Sequence, residues 1–129
     1  MTWAALRAYS EGGSIGAVES SFLGSLITAP YLRLGKAVAA LRPEHFSSPH
    51  YGAIFDAVMR LRSPEAVLVA HDLENGPLRP PQGSYGWGTV VGSVLDDPLV
   101  DEDAAEEAAA AIKAAAKKRA AESRLRSSR

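Results

Sequence analysis

Three groups of residues in this chain have types and spacings that could support chemistry: the histidines, a run of acids, and a basic tail. His45 and His50 lie in or beside a Pro-punctuated corner, and His71 lies on a helical stretch. A metal site needs convergent ligands whose orientation is fixed by further hydrogen bonds. No HxxxH or HExxH spacing occurs, so the three read as corner and surface residues, and no metal or other cofactor is expected. The acids at 96–97 and 101–103 lack the central Gly and terminal Glu of an EF-hand loop and read as a solvated helix start. Gly35–Lys36 is followed by Ala37, where a phosphate-binding loop needs Ser or Thr. No nucleophile elbow is expected, and spacing assigns no Ser–His–Asp triad. The chain therefore reads as a non-enzyme.

The basic tail carries Lys113, Lys117, Lys118, Arg119, Arg124, Arg126 and Arg129. Such residues release counterions when they meet phosphates. No aromatic is interleaved to stack on bases. The first reading is the solvated end of a helix whose dipole it complements. Lys117, Lys118 and Arg119 are the residues that would touch nucleic acid in a weak contact. Trp3, Tyr85 and Trp87 are candidate interface anchors or core residues.

The elements that must position these groups are helical. With 129 residues and 47% hydrophobic composition, the chain can bury one core. A net charge of -1 leaves no overall electrostatic footprint for nucleic acid, and the absence of cysteine excludes disulfides and Cys-ligated metal. No apolar run approaches the roughly 20 residues of a membrane span, and residues 1–20 do not read as a signal peptide, so a cytoplasmic protein without membrane contact is expected.

Residues 1–15 form a short, partly helical arm broken at Gly12 and Gly13. Helices are expected over 16–28, 31–41, 49–62, 64–74 and, more weakly, 84–95, where a strand at 89–95 is the rival. Val18, Phe22, Ser25 and Leu26 stripe the first, and Gly24 inside it would let a neighbour approach closely. Leu34, Val38 and Leu41 stripe the second. Ser48–Pro49 and Ser63–Pro64 are start signals. The last and longest helix, 98–124, has acids at its start, bases at its end and an almost all-Ala apolar side with Ile112. Alanine contributes little on burial. This helix therefore reads as a protruding arm or interface element, with Ala105, Ala109, Ile112 and Ala116 facing a partner. The expected fold is all-α: a single bundle of five to six helices, with residues 1–15 as arm, 16–97 as bundle, and 98–129 as long Ala-rich helix and tail.

Two blocks add a resemblance. VESSFLGSLITAP, residues 18–30, and LRPEHFSSPHYGAIFDAVMRL, residues 41–61, resemble the first helix and the corner-plus-third-helix of the N-terminal domain of DnaB-type replicative DNA helicases. Glu19, Leu23, Gly24, Ser25, Leu26 and Pro30 match in the first block. Leu41, Pro43, Glu44, Phe46, Pro49, Ile54, Phe55, Ala57 and Leu61 match in the second. Ser20 and Ala29 depart from the family pattern, and Tyr51 stands where the family usually has His. Asp72, Leu73, Leu78, Gly83, Tyr85 and Ile112 carry a weaker likeness further on. The family's motor domain, with its phosphate-binding loop, is not in this chain.

The resemblance implies a docking and assembly module of DNA replication. Self-association into a collar and binding of primase or a helicase loader are then expected. The alternatives are a nucleic-acid-binding accessory protein that uses the basic tail, and a helicase-interacting domain like that of primases.

Overall fold

The computed structural model describes residues 4–98 and 101–127, and these are all-helical. In chain order the helices are α1 (Ala4–Ser10), α2 (Ile15–Thr28), α3 (Lys36–Ala39), α4 (Pro49–Arg60), α5 (Ala66–Glu74), α6 (Trp87–Ser93) and α7 (Glu102–Ser127). Two 3-10 turns, Pro30–Leu34 and Pro43–His45, join α2 to α3 and α3 to α4. That is one helix or two more than the sequence pattern indicates: the arm contributes α1, whose Leu6 is buried. Trp3 and Arg129 lie outside the described residues.

The centre of the bundle is α2. Ser14 caps it by accepting from the Gly16 N–H at 3.1 Å, and Pro30 stops it. Val18, Phe22, Leu23, Leu26 and Ser25 are all fully enclosed. The expected close approach at Gly24 is present. A Cβ there would stand 1.8 Å from the carbonyl oxygen of Val94, at the end of α6. All three phenylalanines of the chain meet beside α2: Phe46 and Phe55 have ring centroids 5.0 Å apart, and each lies 6.4 Å from Phe22.

The helix expected over 31–41 is broken. Residues 30–34 form a 3-10 turn, Gly35 is extended, and α3 is a single turn. Val38 and Leu41 are buried as the stripe requires, but Leu34 is 87% exposed. The cause is tertiary. The Glu106 carboxylate on α7 accepts the N–H of Ala37 at 2.9 Å and of Val38 at 3.0 Å, so it caps α3 from across the bundle. A Cβ on Gly35 would lie 2.6 Å from Glu106 Oε2, so the cap needs a glycine there.

The start signal at Ser48 works as read: its hydroxyl accepts from the N–H of His50 at 3.1 Å, and Pro49 opens α4. Ile54, Phe55 and Val58 then face the core. Arg33 closes the other end, donating to the carbonyls of Val58 at 3.0 Å and Leu61 at 2.8 Å. A cation at a helix C-terminus is favoured by the dipole and satisfies carbonyls that lack intrahelical partners. The second start signal acts two residues late, with Glu65 at the N-cap of α5. Residues 87–93 are helical, not a strand, because Trp87, Val91 and Val94 meet the core at helical spacing.

The protruding-arm expectation for the last helix is corrected. Ala105, Ala108, Ala109 and Ile112 of α7 belong to the same core cluster as α2. Alanine contributes little per residue, but its small size lets the backbone of α7 lie close on α2 and α3. From Ala120 to Arg126 the helix is exposed.

Candidate interaction surface

The two resembling blocks are joined by a buried carboxylate. Glu19 on α2 is fully enclosed. One oxygen accepts the Ser47 N–H at 2.8 Å and the other accepts the Ser47 hydroxyl at 2.7 Å. An enclosed charge is costly unless hydrogen-bonded, so Glu19 fixes the corner at 43–48 against α2. Gly52 makes a second tie: a Cβ there would meet the Pro43 carbonyl oxygen at 2.5 Å.

The candidate chemical groups do not converge. His45 Nδ1 accepts from the Arg42 N–H at 3.0 Å. His50 pairs its Nε2 with the Arg79 carbonyl at 3.1 Å and lies against Trp87, 5.7 Å between ring centroids. His71 on α5 faces Asn75, the C-cap of that helix. Among the described residues no group of three or more His, Cys, Asp or Glu could hold a metal ion. Asp101 caps α7 through the Ala104 N–H at 3.3 Å. The run Gly12-Gly13-Ser14-Ile15-Gly16 does spell the letters of a nucleophile elbow, contrary to expectation. That device needs a strand-to-helix turn. Here the run joins α1 to α2, and the Ser14 hydroxyl caps α2.

A cleft of about 520 Å³ between the start of α4 and α6 is lined by Ser47, Ser48, Tyr51, Ser84, Thr89 and Ser93, among others. Four of its hydroxyls are engaged in internal hydrogen bonds: Ser47 with Glu19, Ser48 at its cap, Ser84 with the Pro81 carbonyl and Ser93 with the Val90 carbonyl.

Of the residues expected to face a partner, Ala105, Ala109 and Ile112 are buried inside the chain and Ala116 is half-buried. This corrects their assignment: the face they form is covered by α2 and α3. Of the residues expected to touch nucleic acid, Lys117 and Lys118 are exposed, but Arg119 is half-buried and donates to the His45 carbonyl at 2.8 Å. Arg119 therefore clamps α7 to the corner. Trp87 is a core residue, donating its indole N–H to the Leu78 carbonyl at 3.2 Å, whereas Tyr85 is 96% exposed.

The free surface lies elsewhere. Leu34, Val67 and Tyr85 are the most exposed large apolar side chains of the bundle body. Tyr31 and Leu34 flank a groove of about 370 Å³ with Glu102, Asp103 and Glu106. A second groove, about 470 Å³, has an alanine floor at Ala37, Ala40, Ala110 and Ala114, edged by Lys36, Lys113 and Lys117. Arg60 joins α4 to α5. It donates to Asp72 at 2.7 Å and 3.1 Å and to Asp56 at 3.3 Å, which raises the Arg60 pKa and holds the Asp72 carboxyl below its ordinary value.

Sequence reasoning missed Glu106 and Arg33. Each acts on backbone groups far away in sequence, so no local spacing announces it. Against known proteins, no family model, curated protein or solved structure matches this chain.

Proposed function

We propose that this chain is a non-catalytic interaction module of the DNA-replication machinery, working in the cytoplasm, that self-associates and docks primase or a helicase loader. The observation that carries the reading is the way the two helicase-like blocks are stitched together: Glu19 of the first is held by Ser47 of the second, and the Phe22 ring packs against both Phe46 and Phe55. The residues that make the resemblance are thus the ones that build a single rigid unit. Gly24 and Pro49 belong to the same set, one admitting the Val94 carbonyl and the other opening α4.

In this unit the polar groups at the corner are engaged within the chain, and the exposed apolar side chains and the lysine-edged groove are what remains for a partner. No helix among the described residues is long and apolar enough to cross a membrane. Isothermal titration of the purified chain against a primase and against a helicase loader, each from the same source, tests the proposal. Binding of either in the micromolar range is the expected result. Binding of neither, or ATP hydrolysis by the chain alone, would overturn it. The nucleic-acid alternative rests on exposed Lys117 and Lys118, and predicts salt-sensitive DNA retention that is lost on deleting residues 117–129.

A further inference from the structure

The cleft between the start of α4 and α6 is lined without any Asp, Glu, Lys or Arg, in a chain that is 22% charged. Its polar groups are hydroxyls and one imidazole, and most of their hydrogens are already committed. Ser47 donates its hydroxyl hydrogen to Glu19 Oε1 at 2.7 Å, Ser84 to the Pro81 carbonyl at 2.6 Å, and Ser93 to the Val90 carbonyl at 2.6 Å. A serine hydroxyl has a single hydrogen, so these side chains can offer an occupant only lone pairs. His50 meets the Arg79 carbonyl through Nε2, and a carbonyl only accepts, so that nitrogen carries the hydrogen. In the neutral ring its Nδ1 is a further acceptor.

The helix starts at the cleft supply no compensating donors. Pro49 has no N–H, those of His50 and Tyr51 turn to the Ser48 hydroxyl, and that of Gly52 turns to the Ser48 carbonyl. The Gly16 N–H is held by the Ser14 hydroxyl. The free backbone donors that bind an anion at a helix start are therefore spent on α2 and α4. Behind Ser47 stands an enclosed carboxylate with no cation beside it: Glu19 is 0% exposed and makes no ion pair among the described residues. A hydroxyl that donates to a carboxylate becomes a stronger acceptor, so the negative charge is felt in the cleft through Ser47.

We infer that this cleft binds a guanidinium group, the head of an arginine side chain. Guanidinium donors are spread in a planar fork. That suits acceptors drawn from separate segments: Ser47 at the corner, Ser84 in the loop before α6, and Ser93 at the end of α6. A lysine ammonium is a compact point and reaches fewer of them. The half-buried Tyr51 ring adds an aromatic surface that favours a cation. A volume of about 520 Å³ admits the group with its aliphatic stem. The site uses none of Leu34, Val67 and Tyr85, the exposed apolar side chains left for primase or loader docking, so either binding can fail without the other.

The isotope-labelled full chain is titrated with N-acetylarginine amide, whose one charge is the guanidinium, and followed by NMR. The amide resonances of Ser47, Ser84, Thr89 and Ser93 should shift together, with a millimolar dissociation constant. N-acetylcitrulline amide keeps the shape without the charge and should bind about ten-fold more weakly. N-acetyllysine amide should also bind more weakly. Ser93→Ala removes one acceptor at an exposed position and should weaken binding about five-fold. Thr89→Lys, also exposed, brings a cation to the cleft and should abolish binding. Retained spectral dispersion shows that each variant is folded. Tighter binding of capped than of free arginine would name an arginine within a polypeptide as the source, and the reverse would name the free amino acid. Capped arginine leaving these resonances unmoved, inorganic phosphate moving them in its place, equal binding of the arginine and citrulline amides, or unchanged affinity in Thr89→Lys would overturn the inference.

Discussion

Two glycines in helices of this bundle should respond oppositely to the same substitution. At Gly24 an added methyl would stand 1.8 Å from the Val94 carbonyl oxygen and 2.8 Å from its carbonyl carbon. Both atoms are backbone, so no rotamer change relieves the overlap, and the end of α6 must move by about 1 Å or more. That movement disturbs Val91 and Val94, each 1% exposed. Overpacking of this kind costs about 1–3 kcal/mol, and a rigid neighbour places Gly24→Ala near the upper end. Ala regains about 1 kcal/mol of helix propensity. The net expectation is a loss of about 2 kcal/mol, or a fall of about 8 °C in Tm at roughly 4 °C per kcal/mol for a domain of this size. At Gly92 a Cβ meets nothing within 4 Å. Gly92→Ala should therefore stabilise by about 0.5 kcal/mol, reduced from the full propensity gain because the residue is near the end of α6. Thermal and urea unfolding followed by circular dichroism would show both. If Gly24→Ala unfolds within about 0.5 kcal/mol of wild type, the close approach is not a constraint and the reasoning fails.

Removing the buried carboxylate with Glu19→Ala leaves the Ser47 N–H and hydroxyl without their acceptor and should cost about 3 kcal/mol, while Glu19→Gln, which keeps one oxygen, should cost about 1 kcal/mol by urea titration. Equal effects would mean that the oxygen retained by Gln contributes nothing. The Arg60–Asp72 pair predicts a pH dependence. Because Arg60 holds the folded Asp72 pKa below the unfolded value of about 4, the pair's contribution is complete above that pH and is lost as pH falls through the lower folded value. Both side chains retain exposure, 53% for Arg60 and 26% for Asp72, so the contribution is small, about 0.5 kcal/mol at pH 7. Asp72→Asn should lower the urea midpoint at pH 7, and the gap from wild type should close toward pH 2. A gap constant across that range would show that Asp72 acts through packing alone.

The local physics was legible in the chain because each signal lies within one turn of what it controls. Ser48–Pro49 sets the start of α4, Pro30 the end of α2, and Asn75–Gly76 the end of α5. The stripe on α2 and the tolerance at Gly24 follow from helical period and the lack of a Cβ. The helix over 31–41 was misread because its breaker, Gly35, acts together with a carboxylate about seventy residues later. Likewise, periodicity located the alanine face of α7 but could not say whether a partner or the chain's own core covers it. The candidate site suffered most, since Arg119, expected to be free, is held by the His45 carbonyl.

Sequence alone, then, determined the all-α class, the start of α4 and the stop of α2, and the apolar face of α2, because backbone preference and side-chain period are properties of neighbours along the chain. Only the tertiary structure decided that Glu19 secures the corner, that Glu106 and Arg33 finish other helices, and which side of α7 faces outward. Those outcomes depend on backbone groups and surfaces that meet only when distant segments pack, and the lowest free energy is reached when each enclosed donor, acceptor and apolar face finds its complement.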